Sequence, residues 1–264
     1  MDYNKMGQSI HSTAIVAKTA QLGNNVSIGA YTIIEDDVVI GDNVEIRSHC
    51  IIGAHAQIGN NNIIHASTII GTEPQDAKFE GELAPVKIGD NNIIREFVTI
   101  NNGTKAAGGT IVGNNNMLLA YSHVAHDCIL GNHIVMSNLV HLGGHVRVED
   151  WVVFGGYSKV HQFVEIGCHA MISADATVVK DVSPYVLLDR TPAVRGLNRI
   201  GLSRRGFSQE IVKELSTFYK YVFHSGLNNA DGIKKYLADK NNIISPEVQH
   251  CIDFITHSER GVIR

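Results

Sequence analysis

A six-residue repeat runs from Gln21 to Lys180 and limits the folds that this chain can adopt. An aliphatic residue recurs at every sixth position, from Leu22 through Ile28 onwards, and the register survives two interruptions. Helices repeat near 3.6 residues and half-buried strands repeat every two, so neither explains this period. The pattern is typical of a β-helix, in which short strands send every sixth side chain into one core. We expect a turn of about eighteen residues, with Gly or Asn in the tight turn conformations.

The repeat divides the chain into three parts. Residues 1–182 are predicted to form the β-helix, with loops leaving it at about 72–87 and 102–110, where the repeat is interrupted. Residues 183–206 are predicted to be an extended connector, and residues 207–264 an α-helical domain. Helix caps are predicted at Ser208, Asp231 and Ser245. These helices could cover one end of the coil, whose strand edges would otherwise stay unpaired.

Composition and charge argue against several classes of partner. The formal net charge is −4, which does not favour binding to nucleic acid. No apolar stretch approaches the length of a membrane span, and the first nine residues lack the apolar run of a signal peptide. The four cysteines, Cys50, Cys128, Cys168 and Cys251, form no CxxC pair. We therefore expect a cytoplasmic protein with reduced thiols.

Side chains that can carry chemistry gather between His123 and Gln162. With about eighteen residues per turn, residues on successive turns fall into columns along the coil. The four columns of interest are His126, Gly144 and Gln162; Asp127, His145 and Phe163; Ala125, Gly143 and His161; and His123, His141 and Lys159. Because neighbouring strands lie about 4.8 Å apart, these groups are predicted to share one edge of the coil.

His126 is the candidate general base, because an imidazole titrates near neutral pH and Asp127 or a nearby carbonyl could fix its tautomer. Gly144, one turn further along, could direct its N–H at a developing oxyanion. The remaining imidazoles and Gln162 could hold a polar substrate. The residues alone leave two alternatives open. Histidines from adjacent turns or subunits could bind zinc as a three-histidine site, or all of these side chains could be ordinary polar residues on exposed turns.

Several motifs together resemble one enzyme family. They are PQDAKF at residues 74–79, HVAHDCILGN at 123–132, LGGHV at 142–146, VHQF at 160–163 and LNRIGLSRRGFS at 197–208. This combination is similar to the acyl-[acyl-carrier-protein]–UDP-N-acetylglucosamine O-acyltransferases, which begin lipid A synthesis, and the similarity covers nearly the whole chain. It implies a left-handed parallel β-helix with a C-terminal α-helical domain, and a homotrimer with active sites between subunits. It also implies a reaction that needs no metal and no other cofactor.

The matching motifs imply a role for each residue. His126 resembles the base that deprotonates the sugar 3-hydroxyl, and Gly144 matches the oxyanion donor. Residues that match substrate-binding positions are His123, His145, His161, Gln162, Asp76 and Lys78, together with Asn198, Arg204 and Arg205 for the nucleotide. Met171 and Ala174 lie near the positions that set acyl-chain length. The implied partners are UDP-N-acetylglucosamine and acyl carrier protein, which carries the acyl chain on phosphopantetheine.

The chain departs from that family at Ile200, where an acidic residue is usual, and its connector looks shorter. The alternative functions are acylation of a 3-amino UDP-sugar, a sugar acetyltransferase dependent on coenzyme A, a γ-type carbonic anhydrase and a non-enzymatic scaffold. Acyl carrier proteins are acidic, so a basic docking surface is expected on or near the helical tail. Its candidate residues are Arg204, Arg205, Lys213, Lys220, Lys234 and Lys235.

Overall fold

A computed structural model describes residues 9–239, 241–242 and 244–264. The described part forms three sheets of very short strands, followed by helices. Sheet 1 contains β1 (Ser9–Ile10), β4 (Ser27–Ile28), β7 (Glu45–Ile46), β10 (Ile63–Ile64), β13 (Ile93–Ile94), β16 (Met117–Leu118), β19 (Val135–Met136), β22 (Val153–Phe154), β25 (Met171–Ile172), β27 (Val186–Leu188) and β28 (Val194–Leu197). Sheet 2 contains β2 (Ile15–Val16), β5 (Ile33–Ile34), β8 (Ile51–Ile52), β11 (Ile69–Thr72), β14 (Thr99–Asn101), β17 (His123–Val124), β20 (His141–Leu142), β23 (Lys159–Val160) and β26 (Thr177–Val178). Sheet 3 contains β3 (Gln21–Leu22), β6 (Val39–Ile40), β9 (Gln57–Ile58), β12 (Lys87–Ile88), β15 (Ile111–Val112), β18 (Ile129–Leu130), β21 (Arg147–Val148) and β24 (Glu165–Ile166).

The coil advances by eighteen residues per turn, as the repeat predicts. His123 pairs in parallel with His141, which pairs with Lys159 on the next turn. The two loops lengthen one turn each, since equivalent corner residues lie 30 apart across the first loop and 24 apart across the second. Strand pairing continues in register on both sides of each loop. The fold is therefore the predicted left-handed parallel β-helix of hexapeptide repeats, with helices after it.

In strands β1 to β26 the second residue points inward and contributes to the core. Ile28, Ile46 and Ile64 on sheet 1 are at most 1% exposed, and the other two sheets follow the same rule. Burying each such aliphatic side chain contributes about 1.5–3 kcal/mol relative to leaving it in water. The reduced thiols of Cys50 and Cys128 also lie in this core, and both are fully buried. The inward positions expected from the sequence are thus confirmed.

The turns use left-handed backbone, but the glycines of the repeat do not supply it. A positive φ recurs at every sixth residue and is held by Asn25, Asp127, His145 and others that are mostly Asn, Asp, His or aromatic. Asn and Asp tolerate this conformation better than most residues. The repeat glycines serve close approach instead: a Cβ on Gly41 would lie 2.8 Å from the carbonyl carbon of Gly59 on the next turn. The prediction was right for Asn and wrong for these glycines.

One corner of the coil carries a ladder of side-chain oxygens, here called the corner ladder. At each rung a backbone N–H donates to the Asn or Asp side chain on the following turn, over 2.6–2.9 Å. Its members are Asn24, Asp42, Asn60, Asp90, Asn114, Asn132 and Asp150. The next position along this corner is Cys168, eighteen residues after Asp150. The polar ladder thus gives way to a thiol at the end nearer the helices.

After the coil, the chain forms a hairpin and helices rather than a plain extended connector. Strand β27 pairs in parallel with β25 and antiparallel with β28, so these two strands of the predicted connector extend sheet 1. The helices are α1 (Arg199–Arg204), α2 (Gln209–Phe223), α3 (Asn229–Ala238) and α4 (Pro246–His257). Ser208 and Ser245 cap α2 and α4 as predicted. The cap of α3 is Asn228, not Asp231, so this helix begins earlier than the sequence suggested.

The helices pack against the C-terminal end of the coil. The hydroxyl of Tyr219 on α2 donates to the carbonyl of Pro184 over 2.7 Å, and both groups are buried. Asp181 forms a bridge with Val262, which follows α4. Residues 1–8, which were predicted to belong to the first turn, lie outside the described residues. Within the described residues, no helix is long and apolar enough to cross a membrane.

Candidate active site

A cleft of about 660 Å³ opens on sheet 2, where the histidine columns meet the surface. Five predicted site residues line it: His123, His126, Gly144, His161 and Gln162. They come from successive turns, because His123 pairs with His141 and the N–H of His145 donates to the carbonyl of His126. The columns inferred from the repeat are therefore the physical arrangement of this edge.

His126 and Asp127 form a buried pair at the base of the cleft. Nδ1 of His126 lies 2.8 Å from Oδ2 of Asp127, and the two side chains are 10% and 0% exposed. A carboxylate accepts hydrogen bonds, so Nδ1 carries the donated proton and Nε2 is left with its lone pair. This arrangement suits an imidazole that accepts a proton from a substrate.

The second loop holds the Asp127 carboxylate in place. The backbone N–H of Thr104 donates to Oδ1 over 2.7 Å, and the Thr104 hydroxyl donates to Oδ2 over 2.9 Å. The N–H of Asp127 itself donates to the Thr110 hydroxyl over 2.9 Å. A buried carboxylate requires such donors, because an unpaired one would be expensive to desolvate. The loop therefore fixes the partner of His126.

Gly144 lies directly over the His126 ring. A Cβ at this position would lie 2.6 Å from Cε1 and 2.6 Å from Nε2 of His126. Glycine is required here because the imidazole and the backbone of the next turn approach too closely for any side chain. Among the described residues, no acceptor takes the N–H of Gly144. A backbone donor of this kind beside the imidazole can bind a developing oxyanion.

Two neighbouring histidines, His123 and His145, shape the cleft, and burial lowers the pKa of both. Burial lowers the pKa of His123, assisted by the nearby His141 and His126, and its Nδ1 lies 2.7 Å from the Thr99 hydroxyl. Burial likewise lowers the pKa of His145, although the Asp127 carboxylate opposes the shift. Nε2 of His145 lies 3.5 Å from Asp127 Oδ2. Its ring stacks on Phe163 with centroids 4.4 Å apart.

The first loop forms a second cleft, of about 540 Å³, beside the first. Asp76, Lys78 and His145 line it, and it shares His126 and Gln162 with the neighbouring cleft. Asp76 Oδ1 accepts the N–H of Lys78 over 3.0 Å, so the carboxylate stabilises the turn of its own loop. His161 is exposed, with Nδ1 3.1 Å from the carbonyl of Gln162. The two clefts thus form one continuous polar groove around His126.

The remaining predicted residues lie elsewhere on the chain. Met171, Asn198, Arg204 and Arg205 line a cleft of about 580 Å³ beside strands β22 and β25 of sheet 1. Asn198 caps α1 by accepting the Gly201 N–H over 3.1 Å, and its amide donates to the His169 carbonyl over 3.0 Å. The two halves of the predicted site therefore occupy different faces of the same chain.

The remaining predicted residues differ in their burial and in their neighbours. The guanidinium of Arg205 lies 5.3 Å from the centre of the Trp151 ring, while Arg204 is exposed. Ala174 is exposed at a turn with its backbone against Gly155, and it lies outside the clefts lined by the other predicted residues. The family that this chain resembles usually has an acidic residue at the position of Ile200. Ile200 is 69% exposed and lines the sheet 1 cleft.

Sequence reasoning missed four residues that build the site. Gln75 lines both clefts beside His126, and Thr99 contacts His123. Thr104 and Thr110 hold Asp127. Thr99 was hidden because the second loop places it 24 residues before His123 rather than 18. Thr104 and Thr110 bracket that loop, where no periodic pattern applies.

The zinc alternative predicted histidines converging on one point. Within the described part of the chain, the nearest arrangement is His126, Asp127 and His145, whose donor atoms lie within 4.8 Å of one another. This set has two imidazoles and one carboxylate, so it is not the predicted three-histidine site. Both oxygens of this carboxylate already accept hydrogen bonds, Oδ1 from Thr104 and Oδ2 from Thr104 and His126.

Family comparisons agree with both parts of the chain. A family described as "Udp N-acetylglucosamine O-acyltransferase; Domain 2" matches residues 181–263. A second family, "Bacterial transferase hexapeptide (six repeats)", matches residues 19–54. The first covers the hairpin and helices, and the second covers early turns of the coil.

Several relatives that match nearly the whole chain share one description. The acyl-[acyl-carrier-protein]–UDP-N-acetylglucosamine O-acyltransferase of Trichlorobacter lovleyi is 50% identical over 262 residues, covering 97% of this chain and 99% of the relative. That of Xylella fastidiosa is 44% identical, covering 99% of this chain and all of the relative. The crystal structure of a UDP-N-acetylglucosamine acyltransferase from Bacteroides fragilis superimposes with a TM-score of 0.94 at 42% identity, covering 96% of this chain and 99% of that one. The chain therefore belongs to the family of acyl-[acyl-carrier-protein]–UDP-N-acetylglucosamine O-acyltransferases.

Proposed function

We propose that this chain transfers a 3-hydroxyacyl group from acyl carrier protein to the 3-position of UDP-N-acetylglucosamine, the first step of lipid A biosynthesis. The observation that carries the proposal is the placement of the His126 ring. Its Nδ1 is hydrogen-bonded to the buried Asp127, and its Nε2 lies under Gly144. The donor, the acceptor and the reaction type are those in the names of the relatives. The enzyme class is an acyltransferase.

The chemistry follows from the lone pair on Nε2. His126 takes a proton from the sugar 3-hydroxyl, and that oxygen attacks the carbonyl carbon of the acyl thioester. The N–H of Gly144 donates to the oxyanion that forms. When the carbon–sulfur bond breaks, His126 returns the proton to the phosphopantetheine thiolate. Asp127 stabilises the imidazolium between these two steps, so proton and charge are balanced at the end.

The surrounding groups position the substrates. Asp76 and Lys78 hold the polar groups of the sugar and the acyl donor from the first loop, while His123, His145, His161 and Gln162 line the groove for the sugar. Asn198, Arg204 and Arg205 bind the nucleotide, because guanidinium groups pair with diphosphate oxygens in bidentate geometry. Met171 contacts the acyl chain, and Ala174 lies near its end.

The active enzyme is a homotrimer whose sites form between subunits. The support for this assignment is the separation of the His126 groove on sheet 2 from the Arg204 cleft on sheet 1 of the same chain. A closed three-fold ring would bring sheet 2 of one chain against sheet 1 of its neighbour, so that one site uses both halves. Isolated chains would leave each half incomplete.

Acyl carrier protein docks on a basic surface beside α2. A groove of about 760 Å³ is lined by Arg199, Lys213 and Lys220. The next helix in the chain, α3, carries the exposed Lys234 and Lys235. Arg204 is exposed too, and Arg199 lines both this groove and the cleft that contains Arg204 and Arg205. Complementary charge of this kind raises the rate of association with an acidic partner.

The reaction needs neither metal nor cofactor, since His126, Asp127 and Gly144 supply base, orienting group and oxyanion donor. Extensive treatment with a chelator is therefore expected to leave the rate of acyl transfer unchanged, and a loss of rate that zinc restores would contradict this. The free thiols of all four cysteines fit a reducing, cytoplasmic setting.

Mass spectrometry of the product tests the proposal. The trimer is incubated with UDP-N-acetylglucosamine and a mixture of 3-hydroxyacyl carrier proteins, and separately with acetyl coenzyme A. We expect one acyl-sugar nucleotide from the carrier proteins, none from acetyl coenzyme A, and none from the His126→Ala variant. The exposed His257→Ala variant is the matched control. A parallel reaction with the 3-amino sugar nucleotide separates the two acceptors, and preference for that amine would overturn the hydroxyl assignment.

A further inference from the structure

Glu149, Cys168 and His250 come together where the coil meets the helices, and acyl transfer uses none of them. Glu149 follows β21, Cys168 follows β24, and His250 lies on α4. Nε2 of His250 lies 2.8 Å from Oε2 of Glu149, and the same oxygen accepts the Cys168 N–H over 2.7 Å. The three donor atoms, Nε2 or Nδ1, Sγ and a carboxylate oxygen, all lie within 4.8 Å of one another.

The position of Cys168 is unusual for its corner of the coil. It follows Asp150 in the corner ladder, where each member from Asp42 to Asp150 is an Asn or Asp that accepts a backbone N–H. A thiol is a weak acceptor, so the ladder does not explain a cysteine at this rung. His250, whose ring lies close to this thiol, belongs to a different part of the fold, helix α4. The thiol, the imidazole and the carboxylate therefore converge from three separate segments.

Thiolate, imidazole and carboxylate are the ligands that zinc prefers. Typical distances are about 2.3 Å to sulfur and about 2.0–2.2 Å to nitrogen and oxygen, so the donor atoms around one ion lie a few ångströms apart. The spacing of Glu149, Cys168 and His250 fits this requirement. The side chains of His250 and Glu149 are 39% and 36% exposed, so an ion can enter and keep one water ligand. We propose that Glu149, Cys168 and His250 bind a zinc ion that clamps α4 to the coil.

Within the part of the chain that the structure describes, the other thiols do not offer such a site. The thiols of Cys50 and Cys128 donate to the carbonyls of His65 and Gly143 inside the core. Cys251 is fully buried, and its Sγ lies 3.3 Å from the Tyr219 hydroxyl oxygen. The His126, Asp127 and His145 group near the reaction centre contains no sulfur. A metal ion bound to a thiolate therefore reports on Cys168.

Cobalt(II) binding tests the site, because a cobalt–thiolate bond produces a charge-transfer absorption band and oxygen or nitrogen ligands do not. Full-length protein is stripped with a chelator and titrated with Co²⁺. We expect one thiolate-bound ion per chain, displaced by Zn²⁺. Cys168→Ser and His250→Ala are expected to lose the band, and Glu149→Gln to weaken binding by about tenfold or more. His257→Ala, on the same helix and exposed, is expected to bind as the wild type does.

Thermal unfolding provides the second readout. Zn²⁺ is expected to raise the Tm of the wild type and of His257→Ala, because an ion bound only by the folded state stabilises it. It is expected to leave the Tm of Cys168→Ser and His250→Ala unchanged. Acyl transfer by these two variants without metal verifies that they fold. A wild type without the charge-transfer band, or a Cys168→Ser variant that keeps it, would show that the three residues form only a hydrogen-bonded contact.

Discussion

A methyl group on Gly144 would lie 2.6 Å from both Cε1 and Nε2 of His126. Gly144→Ala keeps the backbone N–H, but its methyl group is expected to displace the imidazole and so separate the base from the oxyanion donor. We expect kcat to fall by about 10²–10³, as large an effect as the loss of one oxyanion donor. Gly156 occupies the same place in the repeat, and a Cβ there would meet only the Asn138 carbonyl at 3.3 Å. Gly156→Ala should retain most of its activity in the same steady-state assay. Equal losses in the two variants would mean that the effect is on folding.

Asp127→Asn is expected to reduce kcat by about 10²–10⁴ with little change in KM for the sugar nucleotide, because an amide NH₂ cannot accept the Nδ1 proton. Asp127 has a φ of 62°, which Asn tolerates well, so the turn should survive. Asp37→Asn is the matched control, since Asp37 has a φ of 57° and is exposed. The comparison is made by steady-state kinetics and circular dichroism. An Asp127→Asn enzyme with unchanged kcat would remove Asp127 from the mechanism.

If each active site is formed by two subunits, two inactive variants should recover acyl-transfer activity when they assemble into one trimer. In a three-fold ring that contains both a His126→Ala chain and an Arg204→Ala chain, an intact His126 lies beside an intact Arg204 in about a third of the sites. We expect acyl-transfer activity near that fraction after purification through two different tags. His126→Ala co-expressed with Asp127→Asn, whose changes lie in the same half of the site, should show no recovery. Failure of the first pair to recover would place the whole site within one chain.

His169 is expected to make folding stability depend on pH. Burial, followed by the charge of Arg205, lowers the pKa of His169 from 6.5 to about 4. As the pH falls from about 6.5 to about 4, the unfolded chain binds a proton that the folded chain does not bind. Stability therefore decreases by at most about 3 kcal/mol, and by less to the extent that solvent screens the half-buried ring. Above that window the stability is fully present, and below it the loss is complete.

His169→Phe should flatten this profile in urea unfolding measured between pH 4 and pH 7. A phenyl ring can keep the stack between Trp151 and Tyr185, and the chain already places Phe163 at the same turn position with a positive φ. His55→Phe, at another such turn, is the control and should keep the wild-type slope. An unchanged slope in His169→Phe would assign the pH dependence to other groups.

The repeat predicted the coil well because one rule governs every turn. Once the winding is eighteen residues, the neighbours of His126 follow from arithmetic, and Gly144 is found without any fold comparison. The arithmetic fails where a loop leaves the coil, which is why Thr99 and its contact with His123 were missed. Side chains of the loops, such as Thr104, follow no period and are located only by the folded structure.

Local competition explains the errors outside the coil. Asp231 is a good cap residue, but Asn228 takes that place and Asp231 stands at the third helical position, where its carboxylate accepts the Asn228 amide over 2.8 Å. The hairpin of β27 and β28 was read as extended connector because its short strands depend on pairing with β25. Which face each half of the site occupies also depends on this tertiary pairing.

Different elements of the structure pack against the two ends of the coil. Strands β1, β2 and β3 each end their sheet without a further neighbour among the described residues, whereas the other end carries the hairpin and the helices. In a solenoid each turn is stabilised only by the turns beside it, so heat should fray the molecule from its amino-terminal tip. His126 lies many turns from that tip. The first stage of thermal unfolding would therefore remove the turns around β1, β2 and β3, while the residues around His126 keep their arrangement.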